Sequence, residues 1–390
     1  MRSCGDLSHY FRHGLEPGTL VFDPDNPWGS IYAVGTEGAD TMGGSRDSFR
    51  SATYIGLEGD DSLVGGRNDN LFGFEGNDTL IGSDQGSLFA CGGEGDDLIV
   101  GTSGHHDVGD TLDGGAGRDT IRGVSGPDTI SGGSGGDEIH AGWESVAFGG
   151  KGNDLIFGEA DTALHGDEGR DTIIGGGGRN TISGGAHQDV IHGGDHNDLL
   201  YGDEGADLLR GGRAHDFLFG GAGDDTLSGG RGHDRLFGGD GDDVLNGGHA
   251  SDTLRGGAGD DRLDGGAWAD FMSGGAGNDA LLGGKSDDVM RGGRGEDTLT
   301  GGTGDDHQNG GAGADVFVFD GAFGNDTIEG FDADEAGETI DMSAIATITD
   351  YADLIANHLS ADQTTIDDGA GNTIILVGTR GTLSSDDFVF

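Results

Sequence analysis

From Asp171 onward the sequence repeats every nine residues: Asp171, Asp189, Asp198, Asp207, Asp216, Asp225, Asp234, Asp243, Asp252, Asp261, Asp270, Asp279, Asp288, Asp297, Asp306 and Asp315, with Asn180 in the one position lacking a carboxylate. Two residues beyond each position stands a large apolar side chain, such as Ile173, Leu209, Leu245, Leu281 or Phe317, and Gln308 is the lone exception. Glycines lie five, four and usually two residues before the Asp, as in Gly220, Gly221 and Gly223 ahead of Asp225. A period this short predicts a stack of small identical units rather than a folded globule.

Each part of the repeat has a physical role. Glycines supply the positive-φ turn and let stacked backbones approach closely. In the three-residue strand that follows, alternation sends the middle side chain inward, so the Leu/Ile series becomes the core. Nine residues make one turn and one strand, so eighteen close a coil, and successive coils stack at about 4.8 Å. Turns eighteen residues apart then lie above one another, and their carboxylates repel unless a cation intervenes. A hard divalent cation with six to eight oxygen ligands resolves the conflict, and Ca2+ suits a flexible carbonyl-and-carboxylate cage. The expected ligands are the repeating Asp carboxylates and the turn at Gly223, Gly241, Gly259, Gly277 and Gly295. The competing reading, that each Asp only closes its own turn, does not explain the accompanying glycines.

Composition points the same way. Eighty-eight glycines and 32% apolar residues leave too little material for an ordinary core of 390 residues, and a net charge of −52 opposes collapse of an ion-free chain. The same field repels phosphate backbones, and no basic cluster with interleaved aromatics offsets it, so no nucleic-acid partner is expected. Cys4 and Cys91 belong to no CxxC pair and read as single thiols. No stretch is long and apolar enough for a transmembrane segment, and Met1 to Leu20 lack the apolar segment of an N-terminal signal peptide.

Read as they stand, Gly220 to Ser228, Gly229 to Phe237 and Gly238 to Asn246 resemble the nonapeptides of the RTX (repeats-in-toxin) family. The resemblance implies an all-β fold, a right-handed parallel β-roll (solenoid) with several Ca2+ ions held between turns. It also implies type I secretion and folding on reaching extracellular calcium. Residues 1–34 read as an N-terminal capping segment, 35–165 as irregular repeats, 166–315 as the regular roll and 316–390 as a C-terminal cap. In the irregular part Asp40, Asp61, Asp78, Asp97, Asp110, Asp119, Asp128, Asp137 and Asp154 are the expected anchors, with fewer ions than in the regular part. The seventeen-residue steps from Asp137 to Asp154 and Asp154 to Asp171 predict a tightened half-turn.

The two edges of the regular part differ. Along the column from Asp207 to Asp315, in steps of eighteen, the residue two before each Asp is always Gly; along the column from Asp198 to Asp306 it is His196, Ala214, Gly232, Ala250, Trp268, Ser286 and Gly304. The first column is expected to be filled with calcium and the second to bind more weakly. Strands following the second column carry Tyr201, Phe217, Phe219, Phe237 and Phe271 with Arg235, Arg255 and Arg291. Such ladders bind a glycan or cell-surface partner, or simply stack across strands or lie beneath the C-terminal segment.

In the cap, Val316 to Phe319 and Thr373 to Val377 read as strands, and Tyr351, Leu354, Ile355, His358 and Leu359 as the apolar face of a short helix closing a sheet edge. The cap resembles that of serralysin-type secreted proteases, and the ending Asp386-Asp387-Phe388-Val389-Phe390 then serves as an export signal or a last strand. No His-Glu-x-x-His zinc helix occurs, and Gly132-Gly133-Ser134-Gly135-Gly136 matches a nucleophile elbow only because glycine is abundant. The expected function is therefore non-enzymatic: a secreted, extracellular structural, adhesive or binding module. The rival is a polysaccharide-active epimerase or lyase built on the irregular repeats; a toxin or hydrolase fragment would need catalytic sequence that is not present in this chain.

Overall fold

A computed structural model describes residues 20–22, 31–43, 52–83, 86–103, 108–334 and 337–390. It contains two compact units, 1–195 and 196–390. Both are parallel β-solenoids.

In the second unit, strands Leu199–Glu204, Phe217–Ala222, Arg235–Asp240, Thr253–Ala258, Phe271–Ala276, Val289–Arg294 and His307–Ala312 form one wall. They pair in parallel with Leu200, Leu218, Leu236, Leu254, Met272, Met290 and Gln308 in one register line. The opposite wall brings Leu209, Leu227, Leu245, Leu263, Leu281, Leu299 and Phe317 into a second line. All of these residues are buried. In these coils the apolar core is thus one side chain per strand, as strand alternation in a nine-residue repeat dictates.

Gln308 breaks the apolar line. Its amide is fully buried, and neither its oxygen nor its nitrogen has a hydrogen-bond partner. A buried unsatisfied amide costs about 1–3 kcal/mol. Gln308→Leu is therefore expected to raise the urea midpoint of the calcium-loaded chain; an unchanged or lower midpoint would show that the amide has a role there.

The first unit repeats the plan with irregular spacing. Leu63, Leu80, Ile99, Ile121, Ile139, Ile156, Ile173 and Ile191 line up on one wall. Leu71, Ala90, Leu112, Ile130, Ala147, Leu164 and Ile182 line the other. At its start Leu20–Phe22 pairs antiparallel with Ile31–Val34, which pairs in parallel with the strand Ala52–Glu58. The expected contribution of Pro17, Pro24, Pro27 and Trp28 falls outside the described residues. Cys91 is disulfide-bonded, correcting the single-thiol reading; the chain's other cysteine, Cys4, lies outside the described residues.

The C-terminal cap contains the expected strands, Val316–Val318 and Thr373–Val377. The expected short helix is present as one α-turn, Tyr351–Asp353, running into a π-helical turn, Leu354–His358, with Leu354 buried and Ile355 51% exposed. Strands close the sheets instead. Thr373–Val377 adds in parallel to Asn325–Glu329 and is covered by antiparallel Thr365–Asp367, and Phe388–Val389 adds to Thr339–Asp341. The β-branched run Thr373-Ile374-Ile375-Leu376-Val377 favours that solution. Among the described residues no helix is long and apolar enough to cross a membrane.

Candidate metal centre

The turns of each unit form two edges. In the second unit the glycine edge carries Asp207, Asp225, Asp243, Asp261, Asp279, Asp297 and Asp315, and the mixed edge carries Asp198, Asp216, Asp234, Asp252, Asp270, Asp288 and Asp306. On both, the Asp side chain turns inward and is buried. Its Oδ1 accepts the backbone N–H of the Asp one coil earlier, at 2.7–3.0 Å along the glycine edge. The mixed edge does the same at 2.7–2.8 Å. Asp306 in turn donates to Asp326, a further rung at 2.9 Å.

The second carboxylate oxygen is the unusual atom. Oδ2 of Asp216, Asp225, Asp234, Asp243, Asp252, Asp261, Asp270, Asp279, Asp288, Asp297 and Asp306 is buried without a hydrogen-bond partner. Burial, reinforced in most cases by neighbouring carboxylates, raises their pKa values: Asp216, Asp252 and Asp288 to about 8, Asp225 and Asp261 to about 7, Asp243, Asp279 and Asp297 to about 6. A file of desolvated carboxyls with spare oxygens calls for protons or a hard cation.

The glycines make room for this file. A Cβ on the glycine five residues before the Asp, such as Gly220, Gly238 or Gly256, would overlap Oδ2 of that Asp. Two residues before the Asp, Gly223, Gly241, Gly259, Gly277 and Gly295 have φ of +122°, +131°, +127°, +135° and +123°. A Cβ at Gly241 would strike the carbonyl oxygen of Gly223, and one at Gly259 that of Gly241, and so on up the edge. Turn carbonyls therefore line up at the spacing of the coils. Carboxylate and carbonyl oxygens are the donor set of Ca2+. Among the described residues no three His, Cys, Asp or Glu side chains converge to hold a metal, so any cage here depends on those carbonyls.

On the mixed edge the turn persists but its geometry does not. His196, Ala214, Ala250, Trp268 and Ser286 sit at φ of +76°, +77°, +78°, +84° and +77°, whereas Gly232 and Gly304 sit at +138° and +140°. Side chains with a Cβ are strained there and take a different φ, so the carbonyls are no longer uniformly presented.

In the first unit the glycine edge keeps the same ladder, with His187 at φ +83° in place of glycine two residues before Asp189. Asp61, Asp78, Asp97, Asp119, Asp137, Asp154 and Asp171 form one ladder through N–H to Oδ1 bonds of 2.7–2.8 Å. Gly59, Gly76, Gly95, Gly117, Gly135, Gly152 and Gly169 precede them, all at positive φ. The opposite edge runs Asp69, Leu88, Asp110, Asp128, Ser145, Thr162 and Asn180, tied by bonds such as Leu88 to Asp110, Asp128 to Ser145 and Thr162 to Asn180. From each of those seven to the next glycine-edge Asp is nine residues, while the return path varies; the eight-residue steps Asp137 to Ser145 and Asp154 to Thr162 are the expected tightened half-turns. Spacing errors are thus confined to one half-coil.

Gly132 to Gly136 form one of these glycine-edge turns, with Gly133 and Gly135 at φ of +108° and +141°, and not a strand-to-helix elbow. The aromatic series is stacked across strands: Tyr201 on Phe219 at 5.1 Å and Phe219 on Phe237 at 4.9 Å, with Arg235 over Phe217, Arg255 over Phe237 and Arg291 over Phe271. Ring faces that a sugar would need are largely occupied. In the first unit Glu138 and His140 pair at 2.7 Å and His140 stacks on Phe157, an open surface contact that Arg122 and Arg118 also influence.

Stacked turns with carboxylate and carbonyl files define a calcium-binding parallel β-solenoid. The model of the RTX calcium-binding nonapeptide repeat matches residues 55–86, 92–105, 113–144, 146–162, 165–200, 192–227, 201–236, 219–249, 246–281 and 282–317, and the chain belongs to that family. No curated protein matches it. Among solved structures it is similar to the extracellular lipase LipA from Serratia marcescens, at 18% identity and a TM-score of 0.19, over 58% of this chain and 45% of the lipase. The match thus spans less than half the length of that lipase.

Proposed function

We propose that this chain is a secreted, extracellular structural or binding module that winds up on meeting calcium and has no catalytic role of its own. The observation behind this reading is the file of buried Oδ2 atoms without partners, which leaves the ion-free fold electrostatically costly at neutral pH. The ligands proposed are the Asp carboxylates from Asp171 to Asp315 with the turn carbonyls around Gly223, Gly241, Gly259, Gly277 and Gly295. Glycine-edge geometry in both units supports placing the stronger sites on that edge, including the irregular repeats. The final residues, Asp386 to Phe390, combine a last strand with a type I export signal, a role supported by their acidic-then-apolar sequence.

Circular dichroism at pH 7.5 tests the folding claim: millimolar calcium is expected to convert a disordered spectrum into a β-spectrum. Asp243→Asn, on the glycine edge, should move the calcium midpoint upward by severalfold more than Asp252→Asn on the mixed edge. Equal shifts would remove the distinction between edges, and a chelated chain as ordered as the loaded one would remove calcium-dependent folding.

A further inference from the structure

The charge of the second unit is divided between its edges. On the glycine edge the exposed turns carry Glu204, Asp224, Asp240, Asp242 and Asp260. From Gly212 to Ala269 the turns of the mixed edge carry no Asp or Glu apart from the buried ladder, while one coil further the turn of Lys285 also bears the exposed Asp287. Instead, strand register stacks Arg213 on Arg231, Arg231 on His249, His249 on Ala267 and Ala267 on Lys285, one coil apart. Beside Ala267, where this row lacks a cation, stands Trp268, 65% exposed and held at φ +84° in a position that holds glycine at Gly232 and Gly304 and smaller side chains at Ala214, Ala250 and Ser286. A bulky residue kept in a strained, outward-facing turn points to use at that place.

We infer that this edge binds a linear acidic polysaccharide, with a sugar ring on the open face of Trp268 and uronate carboxylates on the row of Arg231, His249 and Lys285. This rests on the reading of the chain as a calcium-wound binding module. Basic side chains set one and two coils apart, at multiples of the coil spacing of about 4.8 Å, match an extended polymer rather than a single small anion. Arginine meets carboxylates through paired N–H donors, and an indole face suits a sugar ring. The molecule's overall negative charge does not forbid it: at physiological salt, screening over about 8 Å leaves the local cations in control. Nucleic acid fits less well, since bases need successive open aromatic faces. Those of Phe219 and Phe237 are already taken up by stacking.

Calorimetric titration of the calcium-loaded full chain with polygalacturonate is the test, with dextran and a single-stranded oligonucleotide as comparisons and sedimentation velocity run alongside. Polygalacturonate should bind, more weakly as salt rises, and dextran should not. Trp268→Gly, which suits the positive φ and so preserves the fold, is expected to weaken binding about tenfold. Arg231→Gln with Lys285→Gln should weaken it at least as much. No binding, unchanged affinity in these variants, equal affinity for the oligonucleotide, or self-association in place of polymer binding would each overturn the inference. Circular dichroism on the same samples separates the two levels. Failure to fold with calcium defeats the module itself, whereas failure to bind with folding intact defeats only the polysaccharide assignment.

Discussion

Stripped of calcium, the chain should be expanded at pH 8 and regain compact β-structure as the pH is lowered toward 5. The buried Asp carboxyls rise from an ordinary value of 3.8 to between about 6 and 8 in the folded state, chiefly through burial, with neighbouring charges reinforcing it in most cases. Below pH 3.8 they are protonated in both states and cost nothing. Between 3.8 and the folded values the folded chain holds more protons, so stability falls as pH rises, and above about 8 the whole penalty is present. Each such shift opposes the ion-free folded state at neutral pH, and many of them act together against the roughly 5–15 kcal/mol that holds a typical domain together. Calcium replaces the protons, so it should bind more tightly as pH rises through 6–8 and release protons as it does. Small-angle scattering in chelator at pH 5 and pH 8 measures this directly; equal dimensions at both would show that the carboxylates are not the obstacle.

The second large effect concerns glycine. Gly256→Val would place a Cβ into the carboxyl group of Asp261, whose Oδ1 is bonded to the N–H of Asp243 at 2.9 Å and whose surroundings are closed. Neither the carboxylate nor the turn backbone can yield without losing the ladder. The cost is expected to exceed about 4 kcal/mol, in the range reserved for disruption of a buried network. Gly38 offers a control, because a Cβ there meets nothing within 4 Å and its φ is not positive. Gly38→Ala should change stability by no more than about 0.5 kcal/mol. Urea denaturation of the calcium-loaded variants reads both, and similar midpoints for the two would refute the steric argument.

Much of this architecture was legible because repetition exposes it. Asp225, Leu227 and their glycines define turn, core and register with no ambiguity. Asp69 escaped notice because its glycine pair, Gly65-Gly66, stands one residue closer than in the regular repeat, although it accepts the N–H of Ala52 at 2.6 Å and is buried like the others. Asp326 escaped because it stands twenty residues after Asp306, yet Gly324, Asp326 and Ile328 retain the repeat's spacing. Positive φ at Ala214 or Trp268 is dictated by neighbouring coils and contradicts local preference, so no local signal marks it. The short cap helix was legible, but not that Ile355, which completes its apolar pattern, stays exposed.

The constant nine-residue path into every glycine-edge turn has a bearing on how such a chain tolerates change. Extra residues, as between Asp97 and Asp110, are accommodated in the return path while the ladder of Asp78, Asp97 and Asp119 stays in step. A foreign peptide grafted after a glycine-edge aspartate would inherit that freedom, whereas one grafted just before would throw every later rung out of phase. One side of each coil is a ruler and the other is a place to write.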